Sequence, residues 1–315
     1  MKTFNKQNYL SKSNITVDKI IKYYESQRCF MPKVLKNGLM DRASCLNDLI
    51  DEYDAFVFDS FGVLNVGSSV IPSAASVLNK IKSSGKLVYV LTNGATYPTS
   101  KKFSLFKSWN LPLEEQHVIS SRDLLKDFLS NYLDKFWGVI GSPNSDLEEL
   151  GVKGNILGKN MDGLEDSEGF IFLGSEFWDI EKQNILESFL IKNPLPILVG
   201  NPDIAAPNND GFSLEPGYWS GLLRNIPEIS IQYFGKPHND IFEFSIRKIL
   251  NNSKSEIPLE RIAMVGDSLH TDILGGLSSK ISTILVTNYG LFANEDYESF
   301  IEETNIQPDK IIPVL

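Results

Sequence analysis

The sequence contains little cysteine and no long apolar segment. Its two cysteines, Cys29 and Cys45, form neither a metal-ligand spacing nor a disulfide framework, which indicates plain structural thiols in a reducing compartment. The amino terminus lacks the apolar core of a secretory signal, and no apolar run is long enough to span a bilayer. We therefore expect a cytoplasmic protein that does not associate with a membrane.

Basic clusters and a dinucleotide fingerprint are also missing. The formal net charge is -10 and the pI is about 4.9, and no Lys/Arg cluster stands out, so we expect no nucleic-acid partner. No GxGxxG motif follows a predicted strand, which argues against NAD binding. The 42% hydrophobic content fits a globular chain of 315 residues with a sizeable core. An acidic protein of this kind needs a local cation, a metal or a lysine, to handle phosphate.

The stretch DAFVFDSFGVLNVG, residues 54–67, is the most informative part of the sequence. The apolar run 55–58 is typical of a strand buried on both faces, and it ends abruptly at Asp59. Ligands of open parallel sheets bind beyond the carboxyl ends of the strands, so Asp59 is a candidate nucleophile or metal ligand. The alternative for Asp59 alone is a turn or helix cap.

Polar residues follow three further predicted strands in the same way. Thr92, Asn93 and Gly94 follow the apolar run 87–91. Lys236 follows the run 231–234 through Gly235, and GDSLHTD, with Asp267 and Asp272, follows the run 262–265. With a last strand at 283–286, this alternation predicts an α/β fold with a doubly wound, Rossmann-like parallel sheet, in which the polar residues converge on one crevice.

The converging residue types suit phosphoryl transfer. Two carboxylates with a backbone carbonyl and waters are ligands that Mg²⁺ favours. Thr92, Asn93 and Lys236 would hold the phosphoryl oxygens, while the Asp59 carboxylate attacks phosphorus. Taken singly, Thr92 or Asn93 is more often a turn or cap residue, and a lone lysine is more often a surface charge.

The chain divides into three predicted parts. Residues 1–45 form an extension with an amphipathic helix around Ile20 and Tyr24, and its role is not readable from the sequence. Segments 46–135 and 230–315 form the catalytic core. The pattern changes between them, which predicts an inserted α/β domain over 136–229.

The motifs resemble those of the haloacid dehalogenase-like phosphohydrolases. The resemblance is to the subclass with a large α/β cap, IIA, which includes NagD-type and p-nitrophenyl-phosphate phosphatases. Asp59 stands at the family's nucleophile in FVFDSFGVL, Thr92 at its second motif in VLTNG and Lys236 at its third in FGKPH. Asp267 and Asp272 stand at its fourth, in MVGDSLHTDI.

This resemblance implies a set of roles. Mg²⁺ would be held by Asp59, the backbone carbonyl of Phe61 and Asp267, with Asp272 supporting the site. Segment 136–229 would be a cap that closes over the site and selects the leaving group. Within it, Asp203 in the sequence NPD is a candidate for substrate recognition.

One position departs from the family pattern. The family's phosphatases carry a second aspartate two residues after the nucleophile, as general acid and base, and here that residue is Phe61. The loss of general acid–base help typically costs about 100- to 10,000-fold in rate. Either activity is weak or another group substitutes, and His270 and His238 are the candidates. A stacking or packing role for Phe61 is the more economical explanation.

These observations lead to one main hypothesis and two rivals. The main hypothesis is a Mg²⁺-dependent phosphohydrolase of small phosphorylated metabolites, such as sugar phosphates, acting through an aspartyl-phosphate on Asp59. The rivals are a phosphate-ligand-binding or regulatory protein with degraded catalysis and a phosphoryl transferase that passes the group to an alcohol. Whether a homodimer forms through the cap stays open.

Overall fold

A computed structural model describes residues 9–11, 13–34, 36–158, 160–208 and 210–315. The strands in chain order are β1 (Asp41–Arg42), β2 (Ala55–Phe58), β3 (Asn65–Val66), β4 (Ser69–Val70), β5 (Leu87–Thr92), β6 (Val118–Ser120), β7 (Phe136–Ile140), β8 (Lys153–Ile156), β9 (Phe170–Phe172), β10 (Ile197–Val199), β11 (Ala205–Asn208), β12 (Gly211–Leu214), β13 (Ile231–Tyr233), β14 (Ile262–Gly266), β15 (Ser282–Val286) and β16 (Lys310–Ile312).

Helices alternate with these strands along most of the chain. The α-helices are α1 (Val17–Ser26), α2 (Ala74–Ser83), α3 (Thr99–Ser108), α4 (Ser121–Leu129), α5 (Leu147–Leu150), α6 (Ile180–Lys192), α7 (Pro216–Leu222), α8 (Asn239–Asn252), α9 (Leu274–Ser278) and α10 (Tyr297–Thr304). A π-helical turn, Leu269–Ile273, leads directly into α9. None of the helices in the described ranges is both long and apolar enough to cross a membrane.

The larger sheet carries the strands that precede Asp59 and Asp267 and the strand that ends at Thr92. Within the described residues its order is β1-β16-β15-β14-β2-β5-β6, and every pairing is parallel. Strand β2 lies between β14 and β5 and is buried along its whole length, as its unbroken apolar run predicts. The chain leaves β2 toward β5 on one side, whereas β14 to β16 build the other side. The end of β2 is therefore a topological switch point, where open α/β sheets bind ligands.

The smaller sheet, with order β13-β10-β9-β7-β8 among the described residues, is also parallel. We call this sheet and the elements between its first and last strands, residues 136–233, the cap. Helices α5, α6 and α7 and the antiparallel hairpin β11–β12 belong to it. The predicted fold class, a doubly wound α/β core with an inserted α/β cap, is confirmed.

Local sequence signals explain where several elements begin. Helix α4 begins at the sequence SSRD, and its first turn is closed by a capping box in which the Ser120 N–H donates to Asp123 Oδ2 at 2.9 Å. The predicted amphipathic helix in the extension is α1. It begins after Thr16, whose hydroxyl accepts a hydrogen bond from the Lys19 N–H, and its buried face includes Ile20 and Tyr24.

Two predictions about the sheets are wrong. The run 231–234 was expected in the catalytic sheet, but β13 pairs with β10 in the smaller sheet. A short apolar run predicts a strand without naming its partner. The last strand was expected at 283–286, yet β16 follows it and pairs with β1, which lies in the predicted extension 1–45. Residues 1–8 of that extension lie outside the described residues.

Candidate active site

The turn after β2 places Asp59 at the carboxyl edge of the larger sheet. Its N–H donates to the Val265 carbonyl at 2.9 Å, which extends the pairing of β2 with β14 by one residue. Gly62, in the following turn, has a φ of +81°, and a Cβ there would lie 2.2 Å from Oδ2 of Asp267. Glycine is therefore required both by the backbone and by the close approach to Asp267.

Lys236 joins two of the predicted carboxylates. Its Nζ donates to Oδ1 of Asp59 at 2.5 Å and to Oδ1 of Asp272 at 2.7 Å, and all three residues are buried. Burial by itself would lower the pKa of Lys236, but Asp272 and Asp59 outweigh burial and raise it, so the ammonium stays charged. Burial raises the pKa of Asp59 to about 7, although Lys236 opposes the shift. The reading of Lys236 as a surface charge is wrong.

Asp267 completes a cluster of three carboxylates. One ligand oxygen from each of Asp59, Asp267 and Asp272 lies within 4.8 Å of the other two. Asp267 accepts a hydrogen bond from the Leu291 N–H at 2.7 Å, and burial, Asp59 and Asp272 raise its pKa well above the ordinary value. Such a concentration of buried like charge is what a bound divalent cation would relieve, and carboxylate oxygens are the donors that Mg²⁺ prefers. The donor set therefore fits Mg²⁺.

Asn93 connects Lys236 to the cap. Its Nδ2 donates to Oδ1 of Asp203 at 2.8 Å and to the Lys236 carbonyl at 3.0 Å, while its Oδ1 accepts from the Lys236 N–H at 2.8 Å. Asn93 therefore fixes the loop that carries Lys236, and Asp203 lines the same cleft as Asp59 and Lys236. Burial raises the pKa of Asp203 to about 7. Thr92 is buried at the end of β5, where its hydroxyl accepts from the Gly94 N–H at 3.2 Å.

A cleft open to solvent lies over these groups. Its walls come from the core, the cap and α1, and the lining residues are Tyr24, Asp59, Phe61, Asp203, Ala205, Ala206, Pro207, Lys236, Asp267, Ser268, Thr271 and Leu291. Phe61 is 38% exposed, so its ring faces open space and is not packed away. Among the described residues, Thr92, Asn93 and Asp272 do not line the cleft; Asn93 and Asp272 act on it through Lys236.

Neither histidine proposed as a substitute acid lines this cleft, as far as the described part of the chain shows. His270 is fully buried; its Nε2 lies 2.7 Å from Oε1 of Glu25, and its ring stacks on Tyr24. The ring of His238 stacks on Tyr233, and burial lowers the pKa of His238 to about 4. His238 lines a separate cavity with Gln27 and other residues. Both rings therefore have structural contacts elsewhere.

Sequence reasoning missed two parts of the cleft. Tyr24 comes from α1, where its spacing with Ile20 predicted burial but not location. Residues 205–207 come from the first strand of the β11–β12 hairpin, directly after Asp203. The one signal in the sequence that these residues lie at the cleft was that they directly follow the NPD sequence.

Comparisons with known proteins agree with this geometry. A family model described as haloacid dehalogenase-like hydrolase matches residues 56–153, and one described as HAD-hydrolase-like matches residues 233–315. A crystal structure from Cytophaga hutchinsonii, described as a possible sugar phosphatase of the HAD superfamily, is 26% identical with a TM-score of 0.75. It covers 87% of this chain, which in turn covers 98% of it.

Two curated proteins are also similar to this chain. The acid sugar phosphatase of Staphylococcus aureus strain MRSA252 is 23% identical over 82% of this chain and 93% of its own length. A Caenorhabditis elegans protein named as a NipSnap protein is 28% identical over 73% of this chain, and the match spans about half, 47%, of that relative. The two family matches fall on both halves of the core around one carboxylate–lysine cleft, so the chain belongs to the haloacid dehalogenase-like hydrolases.

Proposed function

We propose that this protein is a Mg²⁺-dependent phosphohydrolase of small phosphomonoesters, with Asp59 as the nucleophile. The observation that carries the proposal is the buried Lys236, which binds Asp59 and Asp272 at the switch point of the larger sheet. A buried cation between two carboxylates is costly to assemble, and it provides fixed charge where a phosphoryl group needs neutralisation. The names of the relatives, acid sugar phosphatase and possible sugar phosphatase, support the same substrate class.

The carboxylate cluster would hold the metal. Asp59 and Asp267 each offer an oxygen, the backbone carbonyl of Phe61 is the further predicted ligand, and Asp272 supports the cluster through Lys236. When bound, Mg²⁺ supplies positive charge that offsets the negative charge of the phosphoryl oxygens. It would also favour the ionised form of Asp59, whose pKa is raised by burial.

The proposed reaction has two displacements. An oxygen of Asp59 attacks phosphorus, the bond from phosphorus to the ester oxygen breaks, and the alcohol leaves. Water then attacks the aspartyl-phosphate, which releases phosphate and restores Asp59. Lys236 has three N–H donors, of which two serve Asp59 and Asp272, so the third can hold a phosphoryl oxygen in both steps.

With Phe61 in place of an aspartate, we expect proton transfer to the leaving oxygen to be slow. No titratable group stands at its position, so the leaving oxygen takes its proton from solvent or from the substrate's own surroundings. General acid–base help is worth about 100- to 10,000-fold, equivalent to about 3–5 kcal/mol of barrier. We expect slow turnover with poor leaving groups and faster turnover with good ones, such as p-nitrophenolate.

The test is phosphate release from a panel of phosphomonoesters, measured with Mg²⁺ and with EDTA. We expect Asp59→Asn to abolish turnover, while the exposed control Asp48→Asn keeps it. We expect Phe61→Asp to raise kcat about 100-fold or more for sugar phosphates, because it restores a proton donor. Full activity of Asp59→Asn, or equal activity in EDTA, would contradict the mechanism.

The exposure of Phe61 favours one alternative. A ring that occupies the place of an acid–base group, in a cleft that keeps its cation and carboxylates, also suits a protein that binds a phosphorylated ligand without hydrolysing it. In that case the native chain binds a phosphate ester and releases no phosphate, and Phe61→Asp begins to hydrolyse it.

A further inference from the structure

Helix α1 connects the cap to the core beside the cleft. On the cap side, the Tyr23 hydroxyl donates to the Tyr218 carbonyl at 3.0 Å, and the Leu10 N–H donates to the Tyr218 hydroxyl at 2.9 Å. On the core side, Glu25 pairs with His270 across 245 positions of sequence. The segment before the core is therefore built into the region where cap and core meet.

Tyr24 is the residue of this helix that reaches the cleft. Its ring stacks on His270 of the core, with centroids 4.6 Å apart and planes 4° from parallel. Its hydroxyl accepts a hydrogen bond from the Ile204 N–H of the cap at 3.1 Å. The side chain is 2% exposed and lines the same cleft as Asp59 and Lys236.

The hydroxyl of Tyr24 has a proton left to donate. The Ile204 N–H occupies it as an acceptor, and no group among the described residues accepts its own O–H. Burial, together with Asp203, raises the pKa of Tyr24 well above its ordinary value, so the group stays protonated. A buried donor without an acceptor is unfavourable, and a ligand oxygen in the cleft would satisfy it.

The position of this donor indicates which part of a substrate it meets. The proposed phosphoryl-binding groups, Asp59 and Lys236, contact each other at the carboxyl edge of the core sheet, where β2 ends. Tyr24 instead bonds the backbone directly after Asp203, on the cap side. A group held there faces the part of the substrate beyond the phosphate.

We propose that Tyr24 is a specificity-determining residue that donates a hydrogen bond to an oxygen of the leaving group, so that the site selects phosphate esters of polyhydroxy alcohols over those of plain phenols. This inference rests on the proposed function of the cleft. It gives the amino-terminal segment a direct part in substrate recognition, in addition to its packing contacts.

The test compares Tyr24→Phe with Tyr23→Phe. The first removes only the hydroxyl and keeps the ring on His270, whereas the second removes a hydrogen bond from the same helix to the cap at a residue that does not line the cleft. The substrates are glucose 6-phosphate, ribose 5-phosphate and phenyl phosphate. We expect Tyr24→Phe to raise KM for the two sugar phosphates about tenfold, the loss of one hydrogen bond, with kcat nearly unchanged. The phenyl phosphate KM should change less than twofold.

Each remaining outcome decides a different question. If the native chain hydrolyses sugar phosphates and Tyr24→Phe leaves KM unchanged, or if both variants change all three substrates alike, the inference is overturned and the proposed function stands. If the native chain releases no phosphate, the hydrolysis proposal fails. The inference is then decided by calorimetric titration with glucose 6-phosphate and ribose 5-phosphate: about tenfold weaker binding by Tyr24→Phe sustains it, and no binding by the native chain overturns it.

Discussion

Replacing Lys236 with methionine tests the central feature of the site. Lys236→Met keeps the length of the side chain but leaves Asp59 and Asp272 buried without their cation. Removing one partner of a buried ion pair typically destabilises a protein by about 3–5 kcal/mol, because the remaining charge stays desolvated. With a denaturant slope of about 2–3 kcal/mol per M, this loss lowers the midpoint of urea unfolding by about 1–2.5 M.

The assay is urea unfolding in EDTA at pH 8, so that no metal compensates for the lost lysine. Lys310→Met is the matched control, because Lys310 also binds two carboxylates, those of Asp41 and Glu52, but at the surface. Exposed pairs contribute about 0–1 kcal/mol, so we expect the control to change little.

A second substitution distinguishes the loss of the Lys236–Asp272 contact from a nonspecific loss of stability. Asp272→Asn should be destabilising by itself, but combined with Lys236→Met it should cost about 1–3 kcal/mol less than the sum of the two single effects, because the same contact is lost only once. Lys236→Met should also recover stability toward pH 5, because burial raises the pKa of Asp59 and its carboxylate takes up a proton as the pH falls. Equal stability of Lys236→Met and Lys310→Met at pH 8 would refute the reasoning.

Two further predictions concern the surroundings of the site. Burial raises the pKa of Glu215 from 4.5 to about 7, so the folded protein keeps a proton that the unfolded chain has lost, and stability falls as pH rises through that window. We expect Glu215→Gln to gain up to about 3 kcal/mol over the native chain between pH 5 and pH 8, measured by urea unfolding, and a difference that does not depend on pH would contradict this. A Cβ at Gly290 would lie 2.0 Å from Oδ2 of Asp267. Gly290→Ala should therefore weaken activation by Mg²⁺ about 10- to 100-fold, while Gly158→Ala, which meets no atom within 4 Å, should not; equal activation curves would show that Asp267 is not a ligand.

Much of the core could be predicted from local patterns. The apolar run before Asp59 predicted a central strand, and β2 is buried at every position. The same reasoning placed Thr92 and Asp267 at strand ends, and the structure has them at the end of β5 and just after β14. These predictions succeed because a strand that is buried on both faces consists of consecutive apolar residues, a pattern visible in the sequence. In addition, the carboxyl ends of parallel strands all lie at one edge of their sheet.

Lys236 shows that a local signal can place a side chain next to Asp59 even when the preceding strand is assigned to the wrong sheet. The run before it was expected to lie in the core sheet, but β13 is an edge strand of the cap. Lys236 still reaches Asp59, because the chain crosses from cap to core immediately after β13 and Asn93 fixes the crossing loop. Strand pairing depends on neighbours that are distant in sequence, whereas the polar residue after the strand is local.

The sequence by itself determined the type and burial of the core elements and the set of candidate site residues. Only the tertiary structure decided to which sheet β13 belongs, where α1 lies and which side chains contact His270. The contacts responsible join Tyr24 to Ile204 across 180 positions and Glu25 to His270 across 245. Periodicity reports that a residue is buried, but its partner is set by the packing of the whole chain, and for that reason Tyr24 becomes visible as part of the cleft only in the folded protein.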